Sequence, residues 1–540
     1  MTEPTEPTEP AEPAEPAEPT GHPDGPQGVG GTDPAVTRHP GGYDTPGDPA
    51  LAAVTDRFVG LLGADNLVEF SLTPFDHVGV PVWQSWWSEG ERTSGGIGYG
   101  PTQQRARVGA LGECVEHATA ARSLPSSRQE EGSLAELRAR LGEDAVVDPR
   151  TLGLPAGADF DDDRPLVWWP TRRLRDDATV WAPAEFVASS GGELPAPPPG
   201  GWLTTPVSNG LGAGSTRAQA VSHAVLEIFQ RDGNGLTFRA LDAGRVVELD
   251  EVTDPSTLVV LGALRSAGVD VTVKLGATDF GVPNLYVVGT GPGDDVVVAT
   301  ACGEAAHPDR EVALSKAVLE FASARARKAF MHGPLDRVHE VAPDGYDAVI
   351  AAMRPENEEQ RVLDAMVGWL RMPEETWRPL VYSTVLRRDT TTAFSSLPTT
   401  TVEGHDALLA DVAGRLAAEG FDILVHDLVD ERGADAGVQA VKAIVPGLEV
   451  ETVAYGRIGE RNAARLVALG RDDLMRVGER PGEGWSQVHL TAAGRERLGS
   501  DAWLDRRAVD AVAADLLPLY REPGRHTAQQ VLSAGGGARV

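Results

Sequence analysis

The 540-residue sequence predicts an α+β fold in which mixed β-sheets are flanked by helices. Strand-like apolar runs at residues 257–261, 271–274, 285–288 and 296–299 alternate with amphipathic helical segments. The length exceeds what one hydrophobic core usually supports, so a large domain with smaller additions is expected. A third observation is a repeated unit, in which a Gly-rich segment leads into a helix with a polar face.

The chain divides into four predicted regions. Residues 1–48 combine Thr/Ala-Glu-Pro triplets with a Gly/Pro-rich stretch that offers almost nothing to bury, which predicts a disordered acidic tail with a net charge of −9. Residues 49–455 are expected to form the main globular domain, starting with a helix at 51–62 and a strand at 78–83. A helical, Arg-rich satellite over 456–526 and a second disordered tail over 527–540 follow.

Composition excludes several classes of function. A formal charge of −32 disfavours nucleic-acid binding, because that affinity depends on Lys and Arg releasing counterions from phosphates. The two cysteines, Cys114 and Cys302, are too few for a disulfide framework or a zinc site. Neither a membrane-spanning run nor a secretory signal is evident. We therefore expect a cytoplasmic protein without nucleic-acid or membrane partners.

The repeated unit carries the candidate chemistry. Its copies are residues 95–100 before a helix with Glu113, Glu116 and His117; residues 208–214 before a helix with Glu227, Gln230 and Arg231; and residues 303–309 before a helix with Glu320, Arg325 and Arg327. On the second helix, the polar side chains of Gln219, His223, Glu227, Gln230 and Arg231 fall within an arc of roughly 120°. Such a stripe is either a solvated face or one wall of a site.

The Gly-rich approach favours a site, because such a loop before a helix exposes N–H groups that can bind phosphate. Carboxylates spaced i, i+3 on two helices can hold Mg²⁺, and Arg231 can neutralise phosphate charge. The segments match neither the Lys-containing P-loop nor the dinucleotide fingerprint. We therefore expect an ATP–Mg²⁺ site outside the standard nucleotide-binding folds.

These residues resemble the YcaO family over residues 65–455. The matching positions are 208–214 with Glu227, Gln230, Arg231 and Asp232; Glu113 and Glu116; His307, Pro308, Glu320 and Arg325; and the Val-Pro-Gly-Leu-Glu segment at 445–449. The resemblance implies a YcaO-type fold and ATP-dependent phosphorylation of a peptide backbone amide oxygen. Addition of a Cys, Ser or Thr side chain then gives an azoline, sulfide gives a thioamide, and an amine gives an amidine.

The resemblance also implies ATP and Mg²⁺ as cofactors and assigns the site residues. The implied metal ligands are Glu113, Glu116, Glu227 and Glu320, and the implied nucleotide contacts are Ser208, Asn209, Ser215, Gln219, Gln230, Arg231 and Arg325. The motif favours Arg325, whereas helical geometry favours Arg327, which shares the face of Glu320. His223 within the polar stripe is the candidate general base, with a structural role as the alternative reading; the same choice applies to His307.

Implied partners are a precursor peptide and a TfuA-like or leader-binding protein, and a homodimer is compatible with them. The C-terminus lacks the Pro-rich tail whose terminal carboxylate enters the site in many azoline-forming members, which favours a stand-alone or thioamide-type enzyme. Departures at Ile97, Gly109 and His117 support an alternative, a non-catalytic nucleotide-binding docking or regulatory protein of a peptide-modifying complex.

Overall fold

The computed structural model describes residues 48–236, 241–428, 431–450 and 456–536. These residues all belong to the compact unit Tyr43–Val540. The tail predicted for residues 1–48 lies outside the described residues except for Asp48, whose carboxylate accepts a hydrogen bond from Ala50 N at the start of the first helix.

The helices, in chain order, are α1 (Pro49–Leu62), α2 (Gln103–Ser123), α3 (Leu134–Leu141), α4 (Ala184–Val187), α5 (Arg217–Asn234), α6 (Pro255–Ser266), α7 (Val296–Ala299), α8 (Arg310–His332), α9 (Leu335–Val341), α10 (Tyr346–Ala352), α11 (Gln360–Leu370), α12 (Glu374–Ser383), α13 (His405–Ala418), α14 (Glu431–Ala436), α15 (Glu460–Ala468), α16 (Ala492–Leu498), α17 (Arg506–Ala513), α18 (Leu517–Tyr520) and α19 (Thr527–Gly536). None of the described helices is both long and apolar enough to cross a lipid bilayer.

The strands are β1 (Leu67–Ser71), β2 (Val82–Glu89), β3 (Arg92–Tyr99), β4 (Glu130–Gly132), β5 (Leu166–Arg173), β6 (Thr179–Pro183), β7 (Leu211–Gly214), β8 (Arg245–Glu248), β9 (Asp270–Ala277), β10 (Asn284–Thr290), β11 (Cys302–Ala306), β12 (Thr390–Ala393), β13 (Leu424–Asp427), β14 (Gln439–Ile444), β15 (Met475–Val477), β16 (Trp485–Gln487) and β17 (Ala502–Asp505).

These strands form four sheets. The first is antiparallel with the order β1-β2-β3. A second has the order β4-β5-β13-β14-β7, with β6 added on β5, and a third has the order β11-β10-β9-β8-β12, in which β8 and β12 run parallel. A small sheet with the order β15-β17-β16 lies near the C-terminus. Three antiparallel sheets and one mixed sheet among helices confirm the predicted α+β class.

The predicted Gly-rich loops are mainly strands. β3, β7 and β11 lead through a short turn into α2, α5 and α8, and each helix packs directly on its own strand. A Cβ on Gly98 would lie 2.0 Å from the carbonyl oxygen of Ala106, and one on Gly303 would lie 2.1 Å from that of Ala317. Gly212 makes a similar approach. The glycines therefore serve backbone-to-backbone packing, which composition alone does not distinguish from a flexible loop.

Other predicted elements are partly confirmed. The helix at 51–62 lies within α1, and the strands at 271–274 and 285–288 lie within β9 and β10. The strand predicted at 78–83 begins only at Val82. Two strand predictions are wrong, because residues 257–261 lie in α6 and 296–299 form α7. The side chains of Asp254 and Asp295 cap these helices, and this local capping outweighs the β propensity of the valines.

The C-terminal region contains a sheet as well as the predicted helices. Trp369 of α11 and Trp377 of α12 share one hydrophobic core with Leu466 of α15 and Leu504 of β17. Residues 527–536 form α19 rather than the start of a disordered tail, because Ala528 is buried in this core. Residues 537–540 lie outside the described residues. Long-range packing, absent from the local pattern, orders this segment.

The close strand–helix contact predicts a specific cost for adding one methyl group. Gly303→Ala should destabilise the protein by about 2 kcal/mol or more, because the new Cβ meets the backbone of α8 and cannot be accommodated by a rotamer change. Gly262→Ala is the matched control, since a Cβ there has no atom within 4 Å in helix α6. This change should be neutral or stabilise by up to ~1 kcal/mol. Urea unfolding of both variants measures the difference, and equal stabilities would contradict the packing argument.

Candidate active site

The polar faces of α2, α5 and α8 meet at one cavity of about 930 Å³. The side chains from these helices and from β11 that line it include Glu113, Glu116, His117, Gln219, His223, Glu227, Gln230, Arg231, Glu304, Lys316, Glu320 and Arg327. The opposite helix faces are buried in the core. The polar stripes therefore face a common cavity instead of simply covering the surface, and its volume suits a ligand of nucleotide size or larger.

Neighbouring backbone and phenol groups orient the four predicted metal ligands. The hydrogen bonds run from Ile97 N to Glu113 Oε2 (2.7 Å), from Ala213 N to Glu116 Oε1 (2.9 Å), from Gly210 N to Glu227 Oε2 (2.9 Å) and from the Tyr99 hydroxyl to Glu320 Oε2 (3.2 Å). Ala213 lies on β7 and Glu116 on α2, so the units support one another. The Gly-rich backbone was expected to bind phosphate through these N–H groups; they orient carboxylates instead.

Burial makes Glu113, Glu116 and Glu320 reluctant to ionise. Burial raises the pKa of Glu116 to about 8, and repulsion from Glu227 and Glu113 adds to this effect. Burial, followed by repulsion from Glu304, raises the pKa of Glu320 to about 7. The pKa of Glu113 is also raised, chiefly by burial. A cluster of this kind is stabilised in its charged form by a cation.

The donor set suits Mg²⁺ bound together with a polyphosphate. Within the described ranges, no group of three or more His, Cys, Asp or Glu side chains is placed to hold a metal ion on its own. Mg²⁺ commonly keeps water and substrate phosphate oxygens alongside one or two carboxylates, so a complete protein cage is unnecessary. The assignment of Glu113, Glu116, Glu227 and Glu320 as its ligands stays a prediction with compatible surroundings.

Arg231 lies among the carboxylates with capacity for a further acceptor. Its Nη2 is 3.4 Å from Glu227 Oε1, and its Nη1 is 3.6 Å from Glu304 Oε2. Burial lowers the pKa of Arg231, but the charges of Glu304 and Glu227 more than offset this and raise it overall. The buried Nε has no hydrogen-bond partner in the described part of the chain. An anionic ligand oxygen would satisfy such a donor.

Glu304 and Lys316 are charged cavity residues that were not predicted from the sequence. Glu304 accepts hydrogen bonds from Asn234 Nδ2 at 3.1 Å and Gln230 Nε2 at 3.4 Å. Lys316 lies one turn before Glu320 on α8 and lines the cavity, where burial lowers its pKa. The i, i+4 spacing from Glu320 would have identified Lys316. To predict Glu304 from the sequence, one would have had to recognise β11 as a strand whose alternate residues face away from α8.

Arg325 is a correction to the predicted nucleotide contacts. Its guanidinium is fully buried outside the cavity and donates to Asp76 and Asp294 at 2.8 to 3.1 Å. Arg327 lines the cavity, as the helical spacing from Glu320 indicated. Five residues along a helix from Glu320, Arg325 points to a different side, and the structure uses it to tie α8 to neighbouring loops.

The remaining predicted contacts from the second unit are mostly in place. Ser208, Ser215 and Gln219 line the cavity, whereas Asn209 does not. Ser215 N donates to Gln219 Oε1 at 2.9 Å, so Gln219 fixes the turn between β7 and α5. A direct nucleotide contact by Asn209 is therefore not supported by its position.

His223 and His307 line the same cavity but differ in the nitrogen they offer. Desolvation and the charge of Lys316 lower the pKa of each to about 4, so both rings are neutral at pH 7. His307 Nδ1 lies 3.0 Å from Asp309 N and 3.3 Å from Asp309 O; in the tautomer whose Nδ1 accepts from Asp309 N, the ring proton is on Nε2, which can donate. His223 Nε2 lies 3.9 Å from Glu116 Oε1, and its neutral, half-exposed ring has one nitrogen that can accept a hydrogen bond.

The departures from the family pattern leave the acidic groups in place. Ile97 contributes its backbone N–H to Glu113, which any residue other than proline could do. A Cβ on Gly109 would lie 3.2 Å from Gly98 Cα, so glycine permits the tight contact between β3 and α2. His117 lines the cavity, and its charge opposes the effect of burial on the pKa of Glu113. None of the three changes removes a carboxylate.

Comparison with known proteins places this site in a family. A family model described as YcaO cyclodehydratase, ATP- and Mg²⁺-binding, matches residues 97–449. An uncharacterized protein from Methanothermobacter thermautotrophicus is 28% identical over 422 residues, which cover 76% of this chain and 96% of the relative.

Two solved structures share the fold. A heterocyclase in complex with substrate and cofactor matches with a TM-score of 0.53 and 18% identity, covering 73% of this chain and 51% of the heterocyclase. The match therefore spans about half the length of that protein. YcaO from Methanopyrus kandleri, bound with AMPPCP and Mg²⁺, matches with a TM-score of 0.51 and 20% identity, covering 80% of this chain and 95% of the other. Since the family model covers most of the chain, including the units that build the cavity, the protein belongs to the YcaO family of ATP- and Mg²⁺-binding proteins.

Proposed function

We propose that the protein uses ATP to phosphorylate a backbone amide oxygen of a peptide, so that a nucleophile can add to the amide carbon. The observation that carries this proposal is the convergence of three carboxylate-bearing helices on one cavity, with each carboxylate held by a hydrogen bond. Membership of an ATP- and Mg²⁺-binding family supports it.

The proposed reaction has a common first step for all products. The amide oxygen bonds to the γ-phosphorus of ATP, the bond from phosphorus to the bridging oxygen breaks, and ADP leaves. A neighbouring Cys, Ser or Thr side chain, or external sulfide, then adds to the activated carbon. Loss of phosphate and of a proton gives an azoline or a thioamide respectively. The protein mainly positions the reactants and balances charge.

Residues of the cavity divide these tasks. Glu113, Glu116, Glu227 and Glu320 would hold Mg²⁺, which supplies positive charge to the polyphosphate when bound. Arg231 and Lys316 would add positive charge from the protein, and the Nε2–H of His307 would donate to an anionic oxygen. We assign His223 the role of base for the nucleophile, because its ring is neutral and half-exposed beside Glu116.

The peptide is the proposed macromolecular substrate. A TfuA-like or leader-binding protein is the proposed partner, a homodimer the proposed assembly and the cytoplasm the proposed location. The alternative is a docking protein that binds nucleotide without turnover. Retention of the carboxylates despite the changes at Ile97, Gly109 and His117 favours the enzyme. Peptide-dependent release of ADP, with the peptide encoded beside the gene and its neighbouring proteins, separates the two.

Replacement of the central carboxylate should remove activity without unfolding the protein. Glu227→Gln keeps the side-chain shape but removes a charge from the cavity, so peptide-dependent ADP release should fall by about 100-fold or more. The melting temperature should change little because the residue is partly exposed. Glu340→Gln, an exposed carboxylate on α9, serves as the control and should retain activity. Equal turnover in the two variants would refute the site.

Binding of Mg²⁺ with a non-hydrolysable ATP analogue should release protons. The Glu116 carboxyl, with a pKa of about 8, is protonated at pH 7 in the free protein, and a bound cation would ionise it. Affinity should therefore rise from about pH 6 to pH 8, by up to about tenfold per pH unit for one proton. Without ligand, Glu116 makes the stability of the folded protein fall as the pH rises. Its contribution to stability is fully present below the pKa of the carboxyl in the unfolded chain, and it is lost as the pH rises to about 8, the pKa in the folded protein.

Calorimetry in buffers of different ionisation enthalpy counts the released protons. Glu116→Gln should release fewer protons than the wild type at pH 7, because it removes a carboxyl whose pKa of about 8 keeps it largely protonated before binding. The same proton count in both proteins would show that Glu116 does not ionise on binding.

A further inference from the structure

Residues 517–526 cross the edge of the cavity and are called here the C-terminal strap. Leu519, Glu522 and Arg525 of this segment line the cavity. The strap is fixed at its end by a hydrogen bond from His526 N to Met331 O at 2.7 Å, and by one between the His526 ring and the Tyr346 hydroxyl at 3.1 Å. A distant part of the chain thus forms one wall of the site.

Glu522 contacts Arg327, Lys328 and the ring of His332 on the last turns of α8. Its carboxylate lies 2.8 Å from Arg327 Nη1, 3.0 Å from Lys328 Nζ and 3.3 Å from His332 Nε2. Burial alone would raise the pKa of Glu522, but Arg327 and Lys328 outweigh it and hold that pKa well below its usual range. A carboxylate bound in this way remains charged and is a poor proton acceptor at neutral pH.

Arg327 connects this ion pair with the carboxylates of the site. It lies seven residues beyond Glu320 on the same face of α8, about 10 Å along the helix axis. Burial lowers the pKa of Arg327, but Glu522 and then Glu113 and Glu320 raise it above its ordinary value. The guanidinium therefore interacts electrostatically both with Glu522 of the strap and with Glu113 and Glu320 of the site. Its side chain is 31% exposed, in contrast to the fully buried Arg325.

Arg525 keeps the strap against the first sheet. Its guanidinium stacks 4.6 Å from the Trp86 ring and donates to Gln84 Oε1 at 3.0 Å. A Cβ on Gly95 would lie 2.4 Å from its Nη2, so the glycine makes room for the arginine. The charge of Arg525, like that of Arg327, lowers the pKa of Glu113 against the larger effect of burial. The strap end of the cavity is therefore basic, while the opposite part is acidic.

From this geometry, and resting on the proposed function, we propose that Arg327 is a catalytic residue that stabilises negative charge on the transferred phosphoryl group, and that Glu522 is the positioning residue that holds it. Charge spreads over the phosphoryl oxygens during transfer, and a fixed guanidinium stabilises it. A long arginine side chain freed from Glu522 would gain rotamer freedom and could turn towards Glu113 and Glu320. Glu522 prevents that rearrangement.

The test compares Glu522→Gln, Arg327→Lys and the double variant in the full-length protein. Peptide-dependent ADP release is measured with Mg²⁺ATP, the peptide encoded beside the gene and its neighbouring proteins. Each single change should lower kcat by about 10-fold to 100-fold, while affinity for Mg²⁺ with a non-hydrolysable ATP analogue changes by less than about 3-fold. The double variant should lose no more than Arg327→Lys alone, since the two residues act as one unit.

The control for a purely structural role is Gln530→Ala. It removes a bond from Gln530 Nε2 to Ile350 O at 2.9 Å, which anchors α19 next to the strap, without touching Glu522. This variant should keep its kcat, and Glu522→Asp should recover part of the activity lost in Glu522→Gln. Additive losses in the double variant, or an equal loss in Gln530→Ala, would overturn the inference alone. Absence of turnover in the wild type would overturn the proposed function and the inference with it.

Discussion

Direct packing of a glycine-bearing strand on the helix that follows it sets the geometry of the whole site. At Gly98, Gly212 and Gly303 the helix backbone lies where a side chain would otherwise be. This close approach brings strand N–H groups within hydrogen-bonding distance of helix carboxylates, as Ile97 N and Glu113 illustrate. A single methyl group at these positions would push the helix away from the strand. The orientation of the carboxylates therefore depends on the glycines.

Electrostatics makes the resulting cavity costly without a ligand. Burial raises the pKa of Glu116 and of Glu320, repulsion from neighbouring carboxylates adds to it, and Arg231 offsets part of the effect at Glu320. A protein that retains such an arrangement sacrifices some stability of the free state for the ability to bind a cation with a polyphosphate. A hydrogen bond to one oxygen of each of the four carboxylates fixes the orientation of the side chain and leaves the carboxyl group able to ionise.

The strap shows how a remote segment can take part in the same balance. Glu522 pairs with Arg327 and Lys328 at the basic edge of the cavity. Helix α8 therefore bears the site carboxylate Glu320 in its middle and these two cations closer to its C-terminal end. Leu519, Glu522 and Arg525, which precede α19, line the cavity although they lie about 200 residues beyond α8 in the sequence.

The sequence by itself determined the α+β class, the polar stripes on three helices and most of the acidic residues, because helical periodicity depends only on spacing along the chain. It also carried the signal for Lys316, one turn from Glu320. Only the tertiary structure showed that Arg325 is buried away from the cavity while Arg327 lines it. It also showed that the Gly-rich segments are mainly strands and that residues 257–261 are helical. Those outcomes depend on which partner each residue meets: Asp76 and Asp294 for Arg325, a helix backbone for the glycines, and Asp254 as a cap for α6. Such partners lie near or far in the sequence, and the helix or strand propensity of a residue is too weak to outweigh its contacts with them.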